Sequence, residues 1–464
     1  MQLRRSLGLV DVALFFLVAC TNLQWIATAA AAGPSSLPVW LIGAAGMFVP
    51  LAVVVMYLSS RYPEEGGMYV WSKRAFGPFA GFITGWTYWC SNLPYFPALL
   101  YFMAGNALFI WGSGAQAASP AYFVALSLGG FAFATLLNVL GFDVAKWLNN
   151  AGALSRWIVT LLLIGLGLFA WFKFGAATRI DMASVRPSVQ LKDVIFWSVI
   201  AFAWTGAESV PFVAGEVKDA RRTVPRGLAI AVPAIAAVYI LGTASVLIAM
   251  PAHQVSGLYG VMQSIARVSA QIGWFWLTPV AAILVALSCL GSTGAWLGSV
   301  ARIPFVAGID RYLPPAFGRM HPRWGSPVAA LLTQAGIAAI FIFLGQGGTT
   351  VKGAYDVLVS STVLITMIPF LFVFGSALRL SGGRFTVITV AIVGLFTTVS
   401  ALVLAAFPSD DDPNKVLAVI KILGLTALVL GGGVAVYLLG GRRKGEVCNQ
   451  LTTPSSSAAD TTVS

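Results

Sequence analysis

Long apolar runs recur along the whole chain, and they constrain the fold more than any other feature of the sequence. Each run has the length of about 20 residues that a helix needs to cross the hydrocarbon core of a bilayer. Of the 464 residues, 58% are hydrophobic and only 9% are charged, and a water-soluble domain of this size does not have such a composition. The sequence therefore predicts an all-α polytopic membrane protein.

Twelve candidate membrane spans are predicted from these runs. The first run has no small-residue cleavage site followed by a soluble chain, so we interpret it as a retained helix and not as a signal peptide. Residues 1–6 precede it, and the polar residues 441–464 are predicted to form a disordered tail. The spans are 7–31, 39–60, 80–111, 119–140, 146–173, 191–214, 227–250, 274–307, 327–345, 355–380, 385–407 and 415–439.

The basic residues predict the orientation of the chain in the membrane. When the connections are assigned alternately to two sides, nineteen basic residues fall on one side and seven on the other. The positive-inside rule then places both termini in the cytoplasm. The formal net charge of +12 follows from this topology, and the scattered basic residues form no contiguous face for nucleic acid. We expect a multi-pass protein of the cytoplasmic membrane with lipid and a small molecule as partners, and a homo-oligomer is left open.

Cysteine and histidine are too few and too scattered for metal or cofactor chemistry. Cys20, Cys90 and Cys289 lie inside apolar runs and Cys448 lies in the tail, so neither a disulfide framework nor a metal-ligand spacing is present. The two histidines lie in loops. We predict that the protein has no cofactor and no metal site, and that it is not an enzyme.

Spans 1 and 6 differ from the others because they carry polar residues at mid-depth. Span 1 contains Thr21, Asn22 and Gln24, and span 6 contains W-T-G-A-E-S at residues 204–209. Backbone inside a membrane leaves helical geometry only where it is buried in protein or lines a watery cavity. We therefore predict that both spans are interrupted. They are five helices apart, so spans 1–5 and 6–10 are candidates for the two halves of a secondary transporter.

Residues 59–89 resemble the amino acid–polyamine–organocation superfamily of transporters. They contain its P-E-x-G-G-x-Y stretch after the second helix and its F-G-P-F-x-G opening of the third helix. Residues 202–227 are similar to the family's sixth helix and the basic loop after it, and C-L-G-S-T-G-A-W at 289–296 is similar to the eighth helix. Residues 308–332 are similar to its cytoplasmic connection to the ninth helix.

This resemblance implies a leucine-transporter-type fold. Ten core helices would form a 5+5 inverted repeat with broken helices 1 and 6, and two further helices would be peripheral. The transporter domain would cover residues 7–440, with repeat one at about 7–173, repeat two at about 191–380 and the peripheral helices at about 385–439. The substrate would bind at the unwound centres of helices 1 and 6.

Span 6 supplies the main candidates for substrate binding. Gly206 removes the side chain where the helix must open, and Trp204 supplies a flat apolar wall or a cation–π surface. A carboxylate at this depth costs roughly 2.5 to 3.5 kcal/mol on insertion scales, so Glu208 needs a role. It could contact a cationic substrate group, bind a coupled proton or brace the open backbone. The other candidates of this segment are Phe202, Thr205 and Ser209.

Span 1 departs from the resembled family. Many of these transporters have a small Gly-Ser/Thr-Gly break whose amides hold the substrate carboxylate, and the corresponding positions here are taken to be Trp25, Ile26 and Ala27. Such bulky residues put binding by bare amides in doubt. The polar side chains of Thr21, Asn22 and Gln24 could bind the substrate instead or only satisfy a broken helix. Trp25 could narrow the site, stack on the substrate, or only pack against neighbouring side chains.

Arg156 lies about one turn inside the hydrophobic run of span 5. Several members of the resembled family have a lysine near this place, in the position of a sodium ion. A guanidinium stays charged at physiological pH, so it could replace the fixed charge of sodium but could not carry a proton. We predict sodium independence, and the alternative is that Arg156 snorkels to the cytoplasmic interface.

Spans 3, 8 and 10 contribute further candidates. Trp296 matches a position where related exchangers place an aromatic ring beside the substrate, and Ser292 and Thr293 lie one turn before it. Asn92 and Tyr95 of span 3 could reach the cavity, and the hydroxyl residues 360–362 of span 10 are weaker candidates. The loop 216–227 could form a gate with Glu64 or Glu65, or its charges only set topology and contact headgroups.

Three functions remain as hypotheses. The first is an amino acid permease that works by alternating access, coupled to proton symport or to substrate exchange. The second keeps the fold and takes a polyamine or another organic cation, which the altered span 1 and the carboxylate of Glu208 favour. The third is a membrane-embedded enzyme or sensor. It is disfavoured because the spans carry no catalytic spacing and the short tail offers no output domain.

Overall fold

The computed structural model describes residues 8–62, 66–112, 119–187, 191–209, 217, 219–301, 312–408 and 414–452. The regular elements in this part of the chain are helical, with short 3-10 turns and one π-helical turn at Ala44–Phe48. The α-helices are α1 (Leu9–Cys20), α2 (Leu23–Ala31), α3 (Ser36–Gly43), α4 (Val49–Arg61), α5 (Met68–Phe76), α6 (Pro78–Cys90), α7 (Asn92–Ala107), α8 (Pro120–Val139), α9 (Phe142–Phe174), α10 (Leu191–Ala203), α11 (Ala220–Ala249), α12 (Gly260–Gln271), α13 (Leu277–Val300), α14 (Val328–Gln346), α15 (Val351–Leu380), α16 (Phe385–Ala405) and α17 (Lys415–Thr452).

Ten helices or helix pairs in the described residues are long and apolar enough to cross a membrane. They correspond one by one to ten of the twelve predicted spans. The two predicted spans absent from this set are spans 1 and 6, whose described helices α1, α2 and α10 are each too short to cross a membrane alone. The all-α polytopic prediction is therefore confirmed, and the inverted repeat stays a prediction.

Span 1 breaks after Cys20. Thr21 and Asn22 are extended, with Asn22 at φ −146° and ψ 135°, and α2 starts at Leu23. The break exposes helix carbonyls, which hydrocarbon cannot satisfy. Tyr239 of α11 donates to the Cys20 carbonyl, and Arg156 of α9 donates to the Thr21 carbonyl over 2.9 Å. Two distant side chains thus replace the hydrogen bonds that the helix loses.

The position of this break corrects the prediction from the family comparison. Trp25, Ile26 and Ala27 lie inside α2, with regular helix on both sides. The chain opens instead at Thr21 and Asn22, whose side chains can bond to nearby backbone. The Thr21 hydroxyl donates to the Leu17 carbonyl over 2.6 Å, and the Asn22 carboxamide caps α2 by accepting from the Gln24 amide.

Span 6 breaks after Ala203, where α10 ends. Gly206 has φ +130°, a backbone conformation that only glycine adopts easily, and a 3-10 turn follows at Ala207–Ser209. The predicted opening at Gly206 is therefore confirmed. A Cβ on Gly206 would lie 2.5 Å from the Cys20 sulfur, so the two breaks pack against each other.

The described helices differ in how deeply they are buried. The span of α6 and α7, Pro78–Trp111, has 94% of its most apolar window buried, whereas α16 and the spanning part of α17 have 28%. Helix α9 runs along α13, α1 along α11, and α15 along α7 and α16. The span of α6 and α7 is therefore central, and α16 and α17 are peripheral, as the resemblance implies.

The predictions for the C-terminal tail and for the cytoplasmic gate fall partly on residues that the structure does not describe. Helix α17 continues to Thr452, into the segment predicted to be a disordered tail, and disorder stays a prediction for the residues after it. The proposed gate residues Glu64 and Glu65 lie outside the described residues, as does most of 210–218.

Candidate functional site

A cavity lies where the two helix breaks meet. Its wall comes from both breaks and from α6, α7, α9, α13 and α15. Ten of the residues predicted to bind substrate or to couple transport line it: Thr21, Asn22, Trp25, Asn92, Arg156, Phe202, Thr205, Gly206, Glu208 and Trp296. Tyr95 and Thr362, which we considered less strongly, line it as well.

Glu208 places a buried carboxylate at this cavity. It is only 4% exposed, and one of its oxygens accepts the amide N–H of Gly206 over 2.6 Å. A side-chain hydrogen bond also joins it to Tyr88 of α6. The carboxylate therefore braces the open backbone, as one of our three interpretations predicts, while it still faces the cavity.

Arg156 places a buried guanidinium at the same cavity. One terminal nitrogen donates to the Thr21 carbonyl over 2.9 Å, and the other donates to the Ser292 hydroxyl of α13. The side chain is 9% exposed, so the snorkelling interpretation is wrong. Arg156 instead ties α9 to the break in span 1 and to α13.

Amide and phenol groups add neutral hydrogen-bonding capacity. The Asn22 carboxamide donates to the Tyr95 hydroxyl over 3.2 Å, which links the first break to α7. Asn92 is half-buried and donates to the carbonyls of Tyr88 and Trp89 at the junction of α6 and α7. Both of these bonds use the carboxamide nitrogen of Asn92. Its carboxamide oxygen can therefore accept a hydrogen bond from a ligand.

Aromatic rings close part of the wall. Trp25 of α2 and Phe202 of α10 meet edge to face, with their ring centroids 5.2 Å apart. Trp25 is buried and Phe202 is half-buried. Each ring comes from the half-helix next to a break, so this contact bridges the two interrupted spans.

Some predicted site residues are placed elsewhere. Trp204 is fully buried away from the cavity, and its indole N–H donates to the Trp40 carbonyl over 2.9 Å. Gln24 is fully buried in α2, and the Thr293 hydroxyl donates to the carbonyl of Cys289. None of these three is among the lining residues in the described chain. Ser292 accepts a hydrogen bond from Arg156 and does not line the cavity, and the side chain of Ser209 lies outside the described residues.

Five lining residues were missed: Cys20, Tyr88, Ser91, Ala203 and Thr366. The sequence held a signal for three of them. Tyr88, Ser91, Asn92 and Tyr95 follow the spacing of one helix face, and this polar stripe in an apolar span indicates a cavity wall. Thr366 similarly lies one turn after Thr362. Cys20 carries no such signal, since its place depends on the break that follows it.

In the part of the chain that the structure describes, no cluster of three or more histidine, cysteine or acidic side chains could hold a metal ion. The polar groups of the cavity are instead one guanidinium, one carboxylate, carboxamides and hydroxyls. These groups can bind the charged ends of a small organic molecule.

Comparison with known proteins shows which family and which relatives the chain resembles. The family model described as amino acid permease matches residues 7–429. An uncharacterised transporter of Legionella pneumophila is 25% identical over 446 residues, which cover 92% of this chain and 95% of the relative. A probable agmatine/putrescine antiporter of Lactococcus lactis is 27% identical over 68% of this chain and 67% of its own length. A glutamate/serine transporter of Bacillus subtilis is 25% identical over 75% of this chain and 67% of its own length.

Proposed function

The chain belongs to the amino acid permease family, and from that premise we propose that it carries amino acids across the cytoplasmic membrane by alternating access. Both termini face the cytoplasm in this proposal, as the basic residues of the loops predict. The observation that carries it is that the buried guanidinium of Arg156 and the buried carboxyl group of Glu208 line one cavity between two broken helices.

A zwitterion matches the charges of this cavity. The substrate carboxylate lies toward Arg156 and the start of α2, where a half-helix N-terminus favours negative charge. The substrate ammonium lies toward Glu208 and the carbonyls at the end of α10, where negative charge is concentrated. Asn92 and the hydroxyls of Thr205 and Thr362 then contact the neutral parts of the substrate.

The coupling proposed here is sodium-independent. Arg156 already supplies a fixed positive charge at the break in span 1, where it donates to the Thr21 carbonyl. A guanidinium does not release its proton at physiological pH. Transport is therefore driven by proton symport through another group or by exchange of one substrate for another.

Purified protein in liposomes tests this function. Uptake of labelled amino acids and polyamines is measured while the pH gradient, sodium and internal counter-substrate are varied independently. We expect saturable uptake of at least one amino acid, at the same rate with and without sodium. An absolute requirement for sodium would contradict the role of Arg156, and uptake of no member of the panel would overturn the proposal.

A second candidate substrate class is the polyamines and other organic cations. The buried carboxylate of Glu208 favours it, because a substrate with two positive charges gains from an acidic wall. The probable agmatine/putrescine antiporter among the relatives also supports it. The variant Glu208→Gln keeps the shape and removes the charge, and we expect it to lose at least tenfold in uptake of a cationic substrate. Unchanged uptake of cations by this variant would exclude Glu208 as the group that binds the cation, and absence of cation uptake by the unchanged protein would exclude the second candidate.

The matched control for Glu208→Gln is Asp181→Asn. Asp181 lies in the connection after α9, where it pairs with Arg179, and it is not among the residues that line the cavity. The control removes the same charge without touching the cavity. Its uptake should equal that of the unchanged protein.

A further inference from the structure

Three exposed arginines gather at one end of the helix bundle. Arg61 is the last residue of α4, Arg379 lies in the last turn of α15, and Arg384 directly precedes α16. All three side chains are exposed. We call these three residues the arginine rim. The sequence assigns their connections to the cytoplasmic side.

Tyr57 of α4 holds two members of the rim together. Its hydroxyl bonds to the carbonyls of Leu380 and Ser381, at 3.2 Å and 2.8 Å, which fixes the turn between α15 and α16. The guanidinium of Arg384 lies 5.4 Å from the centre of the Tyr57 ring. Arg61 also contacts the Tyr57 side chain. Two guanidiniums are therefore positioned at one buried tyrosine.

Exposed aromatic rings accompany the rim. The guanidinium of Arg379 lies 5.7 Å from the centre of the Phe76 ring, and Phe76 is 44% exposed. Phe385, the neighbour of Arg384 in the chain, is 81% exposed. Exposed rings next to cations are typical of the level in a membrane where headgroups meet acyl chains.

The rim lacks acidic partners within the described chain. The ion pairs described there join Arg179 with Asp181, Arg222 with Asp219, and Lys352 with Asp356. None of these carboxylates belongs to the rim. Its positive charge is thus available to an anion from outside the protein.

We propose that the arginine rim binds the phosphate of an anionic phospholipid, with Phe76 and Phe385 against its acyl chains. Planar guanidiniums match phosphate oxygens better than an ammonium does, since each offers two parallel N–H groups. The exposed rings favour a lipid over free phosphate, because only a lipid covers them. Each arginine near a headgroup is expected to raise affinity for an anionic lipid about fivefold.

Native mass spectrometry of the purified full-length protein tests the proposal with two lipids, phosphatidylglycerol and phosphatidylcholine. We expect the unchanged protein to bind phosphatidylglycerol more tightly. The double variant Arg61→Gln/Arg384→Gln should lose about 25-fold in that affinity, from two arginines at about fivefold each. Its affinity for phosphatidylcholine should be unchanged.

The matched control removes two exposed arginines from connections assigned to the opposite side, Arg186→Gln/Arg267→Gln. We expect it to bind phosphatidylglycerol as the unchanged protein does. An equal loss in the control would show a net-charge effect and overturn the proposal. Displacement of phosphatidylglycerol by millimolar inorganic phosphate would also overturn it, since the site would then be an anion site.

The single variant Arg379→Gln leaves the Tyr57 contacts intact and guards against failure of the double variant to fold. It should lose about fivefold in affinity for phosphatidylglycerol. The midpoint of thermal unfolding in detergent alone should stay unchanged for this variant. Affinity equal to that of the unchanged protein in both rim variants would refute the lipid site.

Discussion

Trp204 follows a helix break in the chain but packs away from the cavity. Its ring meets Phe48 and Tyr239 edge to face, at 5.5 Å and 6.0 Å between centroids. Its neighbour Gly43 leaves room for it, because a Cβ there would lie 2.8 Å from the indole. The side chain therefore anchors the end of α10 to α3 and α11, and its contribution is to stability.

Replacing this anchor should destabilise the protein without changing substrate affinity. Trp204→Phe loses part of a packed ring and the hydrogen bond to Trp40, which together are worth about 1 to 3 kcal/mol. The midpoint of thermal unfolding should fall, while the KM for uptake by the folded protein stays the same. The control Trp276→Phe changes a ring that is 62% exposed and should be neutral. A raised KM with unchanged stability would place Trp204 in the substrate site after all.

The single residue Arg156 has two structural roles. It satisfies a carbonyl that the break in span 1 would leave bare, and it brings a positive charge to the cavity. A buried charge in a membrane is retained only where it is held by such contacts. Its contacts with Thr21 and Ser292 explain why an arginine is tolerated at this depth.

At the scale of elements, α9 and α13 cross where two glycines face each other. A Cβ on Gly152 would lie 2.6 Å from the Gly291 Cα and 2.8 Å from the Leu287 carbonyl oxygen. Small residues allow such close packing of membrane helices. The contact of Arg156 with Ser292 lies in the same interface between α9 and α13. The glycine crossing therefore sets how closely the guanidinium approaches α13.

A larger side chain at this crossing should force α9 and α13 apart. Gly152→Ala places a methyl group against backbone that cannot rotate away, and such overpacking costs about 1 to 3 kcal/mol. We expect a lower unfolding midpoint and reduced uptake. Gly165→Ala is the control on the same helix, since nothing lies within 4 Å of a Cβ there. If both variants behave alike, the crossing is not a close contact.

The sequence predicted which elements are interrupted but not where the first one opens. Polar residues at mid-depth mark spans 1 and 6, and Gly206 marks the opening in span 6. In span 1 the opening depends on Tyr239 and Arg156, which lie 219 and 135 residues away in the chain from the carbonyls they satisfy. Such partners are decided by tertiary packing, and the family pattern therefore pointed four residues too far along the chain.

The site was predictable where its residues share a helix face or a break. Glu208, Phe202 and Thr205 flank the opening at Gly206, and all of them line the cavity. Trp204 and Gln24 were predicted on the same grounds, but a side chain next to a break can point to either side. Cys20 was missed because it lies in an apolar run, where nothing in the sequence distinguishes it. Its place at the cavity follows from the fold, which packs Gly206 against its sulfur.

At the scale of the whole molecule, one polar network joins the broken spans to the helices around them. Tyr239 and Arg156 hold the first break from α11 and α9, Asn22 links it to α7, and Tyr88 links Glu208 to α6. A cavity enclosed by such contacts can change its access only if several of them rearrange together. We propose that the transported molecule binds at the centre of this network.

Substrate protection of a cysteine in the cavity tests that placement most directly. Thr205 lines the cavity and is half-buried, so Thr205→Cys, in a background with the four native cysteines replaced, should react with a small methanethiosulfonate reagent. We predict that a saturating transported substrate slows this reaction at least fivefold. A cysteine at Ala183, exposed in the connection after α9, should react at the same rate with and without substrate. Equal rates at Thr205→Cys with and without a substrate that the same variant transports would contradict the account.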